Sequence, residues 1–170
     1  MSALSPADAR ATTTISLLVN QHRALLAHLA DLEAALDGAD AEYHLLEFAV
    51  YLECEATAHL RVEEEALLPL LARHFGITQG PLAMMHAEHR RFRSALWDLG
   101  AAVQARNIRA QRAEAVVLIQ ALREHISKEE RVIFPLAESL LNESERDEMD
   151  ARAASLGALQ GGNRGSQSHD

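Results

Sequence analysis

The sequence predicts an all-α fold: an up-down-up-down four-helix bundle built from two similar helical hairpins, with a short C-terminal helix. Three observations carry that prediction. Eight Gly, four Pro and 4% aromatic residues in 170 leave few turn and strand formers. Apolar residues recur at alternating steps of three and four along four long stretches, the spacing of helices packed lengthwise. The breaks between the stretches are short, which makes sequential helices antiparallel neighbours.

Each element has its own signals. Thr12 to Thr14 offer N-caps to a first helix whose stripe is Ile15, Leu18, Leu25, Leu29, Leu32 and Leu36, ended by Gly38. Asp40 is placed to cap a second helix with Leu45, Ala49, Leu52, Ala56, Ala66 and Leu70 on its face; Pro69 bends or tightens its last turns before Gly76. Gly80-Pro81 opens the third, where a missing N–H costs least, and Leu82, Met85, Phe92, Leu96, Leu99 and Val103 follow before the pattern fades at Arg106-Asn107. The fourth carries Ala115, Leu118, Leu122, Val132 and Leu136, has Pro135 near its end and stops around Leu141-Asn142. Ser144 with Asp147 resembles a capping pair for a fifth helix from Glu145 to about Leu156. Residues 1–11 read as an N-terminal arm, 12–157 as the bundle and 158–170, rich in Gly, Ser, Asn and Gln, as a disordered tail.

Composition excludes several classes of partner. Sixteen Lys+Arg against 25 Asp+Glu give a formal charge of −9, and no basic cluster offsets it, so neither nucleic acid nor an anionic lipid surface is an expected partner. The first residues lack a charged and then apolar leader, and no apolar run approaches membrane length, so the expected location is cytoplasmic. A single cysteine, Cys54, rules out an internal disulfide and a thiolate metal cage. Imidazole and carboxylate remain as the strong ligands, and the chain has nine histidines.

The gaps in the four stripes are filled by His22 in the first, His59 and Glu63 in the second, His89 in the third, and His125 and Glu129 in the fourth. They reflect a duplication. His59-Leu-Arg-Val-Glu63-Glu64 through Pro69 aligns without gaps on His125-Ile-Ser-Lys-Glu129-Glu130 through Pro135. His22-Arg23 followed by Leu29, Asp31 and Leu32 matches His89-Arg90 followed by Leu96, Asp98 and Leu99, also without gaps. The stretches His22 to Asp37, Ala41 to His59, His89 to Arg106 and Arg109 to His125 are of nearly equal length. At a rise of about 1.5 Å per residue, all four imidazoles therefore lie at one level of the bundle. Glu63 and Glu129 sit one turn along the same faces.

Six such groups in an apolar interior cost more than a domain's stability of roughly 5 to 15 kcal/mol unless something compensates them. A metal-free network of glutamates paired with protonated histidines is one solution. Its weakness is that replacing a buried ionic network with leucine is often neutral or stabilising, so stability alone does not select it. Metal accounts for the cluster better. Six ligands exceed one tetrahedral zinc, whereas two metals can share two bridging carboxylates and take two or three imidazoles each. Carboxylate with imidazole suits iron, manganese or zinc, and spacing does not choose among them. No His has a Glu three residues before it, which separates the pattern from a ferritin-like diiron bundle.

His22, His59-x-x-x-Glu63, Glu88-His89 and His125-x-x-x-Glu129 resemble the hemerythrin-like, HHE cation-binding domain, over about residues 13 to 157. The resemblance implies two iron ions, oxo- or hydroxo-bridged, in a four-helix bundle that meets O2, NO or peroxide. Two departures limit it. Respiratory hemerythrins resemble this design but carry five histidines and an Asp five residues after the fourth-helix His, where this chain has Glu129 at the fourth position. Iron-centre repair proteins of the family carry a Cys-containing segment before the bundle, which the first eleven residues lack. His86, three residues before His89 and about 60° around the helix, is a candidate fifth ligand or else a half-buried helix-face histidine. Its first-half counterpart is Val19.

Other residues have plainer expectations. His28 is solvated, His44 and His74 lie near helix ends, and His169 is in the tail. Glu64, Glu130 and Glu88 are surface groups or acceptors that orient ligand imidazoles. Cys54, Trp97, Tyr43 and Tyr51 are packing or structural residues. The favoured function is a diiron protein that binds O2 or another diatomic, or senses oxygen, redox state or iron, behind an apolar lining of Met85, Phe92, Leu118, Leu122 and Val132. The alternatives are a diiron enzyme acting on peroxide or nitric oxide and a metal-free helical interaction module. The protein partner is open.

Overall fold

The computed structural model describes residues 13–75 and 80–157. The arm, Gly76 and the tail lie outside the described residues. Five helical rods appear and, among the described residues, no strand. Rod α1 is Thr14–Ala35. Rod α2 is Ala41–Tyr51, Thr57–Val62 and Leu68–Phe75, joined by π-turns at Leu52–Ala56 and Glu63–Leu67. Rod α3 is Gly80–Gln104; α4 is Ile108–Lys128 and Phe134–Leu140, joined by a π-turn at Glu129–Ile133; α5 is Glu143–Ser155. Rods α1 and α3 each pack between α2 and α4.

The ends follow local chemistry. Thr13 caps α1, its hydroxyl accepting from the Ser16 N–H, and the Asn107 side chain does the same for α4 from Ala110. Asp40 occupies the capping position of α2 but makes no side-chain cap. Gly80 starts α3 at φ +69°, a conformation that glycine adopts without strain. The expected Ser144–Asp147 pair does not cap α5. Asn142 and Glu145 form a reciprocal capping box instead, so the helix begins two residues earlier than its composition suggests.

The duplication survives in the backbone. Two of the π-turns begin at the matched residues Glu63 and Glu129, and each ends two residues before a proline. The Leu68 N–H bonds to the Glu63 carbonyl and the Phe134 N–H to the Glu129 carbonyl, five residues back. The wider turn admits the Pro69 and Pro135 rings, which lack an N–H and crowd the carbonyl four residues earlier. In the first half that carbonyl, Glu65, accepts from Arg152 of α5 at 3.3 Å. Rod α5 lies against this π-turn and α1, held by Arg73–Glu148 and by the Thr14 N–H and hydroxyl donating to Asp150.

The interior is two apolar clusters with a polar layer between them. One runs from Leu25 to Leu36 on α1 and includes Leu45, Leu52, Leu60, Phe92, Leu99, Leu118 and Leu122. The other gathers Leu18, Val62, Leu67, Leu71, Leu82, Met85, Ile133 and Phe134 with Met149 of α5. Among the described residues, the buried polar ones are the six expected plus Thr14 and Gln111, which the stripe pattern did not flag. Gln111 is buried because its side-chain amide donates to the Ala102 carbonyl at the turn between α3 and α4. Four residues expected to pack do not: Trp97 is 79% exposed, Tyr43 59% and Val132 37%, and Cys54 is exposed. Val132 falls inside the π-turn, whose extra residue rotates it off the core line and puts Ile133 there.

Candidate metal centre

Each half contributes one histidine from its first rod and a His-x-x-x-Glu pair from its second. The four imidazoles and two carboxylates are all buried, with His22, Glu63 and Glu129 at 0% exposure. They form two overlapping groups: His22, His59, Glu63 and Glu129, and His89, His125, Glu63 and Glu129. Within each group, one ligand atom per residue lies within 4.8 Å of every other. The carboxylates belong to both.

Their orientation explains the sharing. The Glu63 Oε1 lies 2.7 Å from the His59 Nε2 while its Oε2 lies 3.2 Å from the His89 Nε2. The Glu129 Oε2 lies 3.0 Å from the His22 Nε2 and its Oε1 3.3 Å from the His125 Nε2. Each carboxylate therefore turns one oxygen toward each histidine pair. None of these four oxygens takes part in a well-formed hydrogen bond, and the Nε2 atoms of His89 and His125 have no partner either. Orphaned groups this deep are rare in folded proteins, and a cation between them would satisfy all six atoms.

The outer nitrogens fix the tautomers. His22 Nδ1 meets Glu130 at 3.1 Å, His59 Nδ1 meets the Gln21 carbonyl oxygen at 2.8 Å, His89 Nδ1 meets Glu64 at 2.8 Å and His125 Nδ1 meets Glu88 at 3.1 Å. Carboxylate and amide oxygens accept, so each Nδ1 carries a proton, and in the neutral, metal-binding form of each ring the Nε2 presents a lone pair inward. The Nε2 atoms of His22 and His59 face each other at 3.2 Å. Two lone pairs repel at that distance. Two nitrogens bound to one cation at about 2.1 Å sit roughly 3.0 to 3.4 Å apart, so the observed spacing suits a shared metal.

Without a cation the site is electrostatically divided. Burial pushes the Glu63 carboxyl up, but His59, His89 and His125 outweigh it and hold it well below the usual range. Burial and the neighbouring Glu63 charge raise Glu129 despite His22, His125 and His59. Burial alone would lower His59 and His89; Glu63 beside them reverses the sign and raises both. The two carboxyls are thus pushed in opposite directions, as expected of like charges held close.

All six stripe residues come together, and Glu64, Glu88 and Glu130 take the orienting role expected of them. His86 stays outside both groups, its ring centroid 6.4 Å from that of His89 and its Nε2 buried without a partner. Burial lowers its pKa. His28 is exposed, as expected, with its ring tilted against Tyr51 at 3.9 Å, whereas His74 is more engaged than expected and pairs with Glu145 at 3.1 Å. Sequence reasoning missed Gln21, the acceptor for His59, and Phe134, which stacks on His22 at 5.4 Å. Gln21 could have been found by symmetry, since it precedes His22 as Glu88 precedes His89.

Fold and donor set together define a helical protein with a buried His/Glu cluster able to hold metal. Residues 13–137 match the hemerythrin HHE cation binding domain, which is most of the chain. The chain belongs to that family. No curated protein and no solved structure gave a match. No described helix is long and apolar enough to cross a membrane.

Proposed function

We propose that the chain is a non-haem diiron protein that binds O2 or another diatomic, or senses oxygen, redox state or iron, in the polar layer of the bundle. His22 and His59 would hold one metal, His89 and His125 the other, with Glu63 and Glu129 bridging. The observation that carries this reading is the split orientation of the two carboxylates, one oxygen toward each histidine pair. A bound iron pair would supply reversible redox chemistry toward a small ligand. The chain supplies fixed imidazoles, two shared anionic ligands and a water-poor lining in which Met85, Phe92, Leu118 and Leu122 are buried. His86 is the candidate fifth imidazole, supported by its buried, unpartnered Nε2.

Elemental analysis of protein never exposed to chelator is the first test, with about two irons per chain expected and zinc or manganese as the competing outcomes. Mixing the reduced protein with O2 follows. An absorption change that reverses under vacuum supports binding; sustained consumption of peroxide moves the protein to the enzymes. A His86→Ala protein that keeps both metals and its spectrum removes His86 from the ligand set.

A further inference from the structure

Nearly all of the chain's charge sits on one stretch. From Ala24 to Leu60, running from the middle of α1 into α2, there are eight Asp or Glu and no Lys or Arg, in a chain whose formal charge is −9. The stretch matched to it by the duplication, Arg91 to Ile126, has six Arg and three Asp or Glu. Among the described residues, Glu33 alone of the eight pairs with an Arg or Lys, Arg123 of α4. Along this stretch α1 and α2 leave an open groove of about 1130 Å³, lined by no Lys or Arg. Leu32 and Phe48 are its buried floor, and Tyr43 and Tyr51 stand along the α2 wall. Leu46 and Val50, four residues apart on the same wall, are 49% and 57% exposed. Asp31, Glu47 and Glu55 are exposed at its margins. The π-turn Leu52–Ala56 brings Cys54 and Glu55 to the wall; unlike the other two it has no proline directly after it and no counterpart in α4, which is regular from Ile108 to Lys128. π-turns of this kind recur at functional sites.

We infer that the groove between α1 and α2 docks a basic amphipathic helix of a partner protein. Exposed Leu46 and Val50 beside an aromatic wall form a contiguous apolar surface, and covering it removes that surface from water. From Tyr43 to Glu55 the wall runs about 18 Å at about 1.5 Å per residue, the length of some three helical turns. A docked helix presents apolar anchors three or four residues apart to such a groove. The margins select its charge. Lys or Arg beside the anchors meets Asp31, Glu47 and Glu55, whereas an acidic helix or an anionic lipid is repelled. A second copy presenting the same face would set two acidic stretches against each other. Residues 1–12 and 158–170 hold one Arg and one Asp each, so neither supplies the missing charge. Nothing in the inference depends on the metal reading.

The probe is a synthetic peptide of about 16 residues, with Leu at helical spacing and Lys elsewhere, titrated into the full-length protein by calorimetry and NMR. Saturable binding of one peptide per chain is expected, with amide shifts confined to the α1 and α2 residues of the groove. Leu46→Glu/Val50→Glu makes the face more acidic while removing two anchors. It is expected to weaken binding at least about tenfold, where attraction by charge alone would strengthen it. Asp31→Asn/Glu47→Gln/Glu55→Gln is expected to weaken binding about tenfold and to flatten its dependence on salt. Glu124→Gln/Glu138→Gln/Asp147→Asn removes equal charge outside the groove and is expected to change nothing. Equal binding of a peptide with the same composition in scrambled order, shifts on another face, or unweakened binding to the Leu46→Glu/Val50→Glu protein overturns the inference. So does self-association of the unaltered protein through the groove, seen by sedimentation and lost in that same variant.

Discussion

The first and second halves of the bundle present the same donors to the centre and support them differently. Around His89 and His125 both acceptors are carboxylates, and each is tied to a cation: Glu64 to Arg93 and Glu88 to Lys128. Around His22 and His59 the acceptors are Glu130, exposed to solvent, and the neutral amide of Gln21. The counterparts of Arg93 and Lys128 are Leu26 and Val62. An imidazole that donates to a carboxylate is a stronger metal ligand than one that donates to an amide. On the proposed two-metal reading, the duplicated ligands would set the two positions and the unduplicated outer residues would make them unequal, with the His89/His125 position expected to be the tighter.

The comparison can be broken most severely at the residues both halves share. Glu63→Ala and Glu129→Ala are each expected to abolish binding at both positions, not one, and to lower the melting temperature, because stranded imidazoles stay buried. Unchanged metal content in both variants would contradict the bridging assignment. The asymmetry is tested next, by cobalt or zinc titration against a competing chelator. Two unequal steps are expected. Glu88→Gln lowers the tighter step by roughly 10- to 100-fold and brings the two together, while Gln21→Glu raises the weaker one. Equal steps in the unaltered protein would remove the distinction.

Smaller effects concern α5, which clamps the first-half π-turn. Arg152→Ala frees the Glu65 carbonyl and costs about 1 kcal/mol in chemical denaturation, with faster amide exchange near Pro69 than near Pro135. The smallest effect is on acid stability. Arg73 and Arg152 hold Glu148 down to about 2 from an ordinary 4.5. A depressed carboxyl stabilises the folded form above its unfolded pKa, and that contribution fades as pH falls from about 4.5 toward 2. Glu148 lies at the surface, so salt weakens the effect. Amide shifts of α5 residues are expected to move over that window and to lose the response in Glu148→Gln.

Much of this architecture was legible in the sequence alone. Steps of three and four gave the rods, and the polar interruptions gave all six buried donors, because a charged group on a core line is too costly to keep unless it binds something. The orienting carboxylates were legible as neighbours of ligands. Gln21 was not, since an amide on a helix face carries no signal unless the halves are aligned. Two of the three π-turns hid behind the prolines: an extra residue shifts phase locally, and regular periodicity sent Val132 inward. Trp97 and Cys54 were misplaced because apolar character does not by itself require burial. The cap of α5 went to Asn142 because two capping pairs overlap there, and Asn142–Glu145 forms the reciprocal bonds.

The polar layer lies between two greasy zones that share few side chains with each other. If metal occupies that layer as proposed, it rivets the molecule at its waist, and stripping the rivet is expected to loosen the middle first while both ends stay oily and closed.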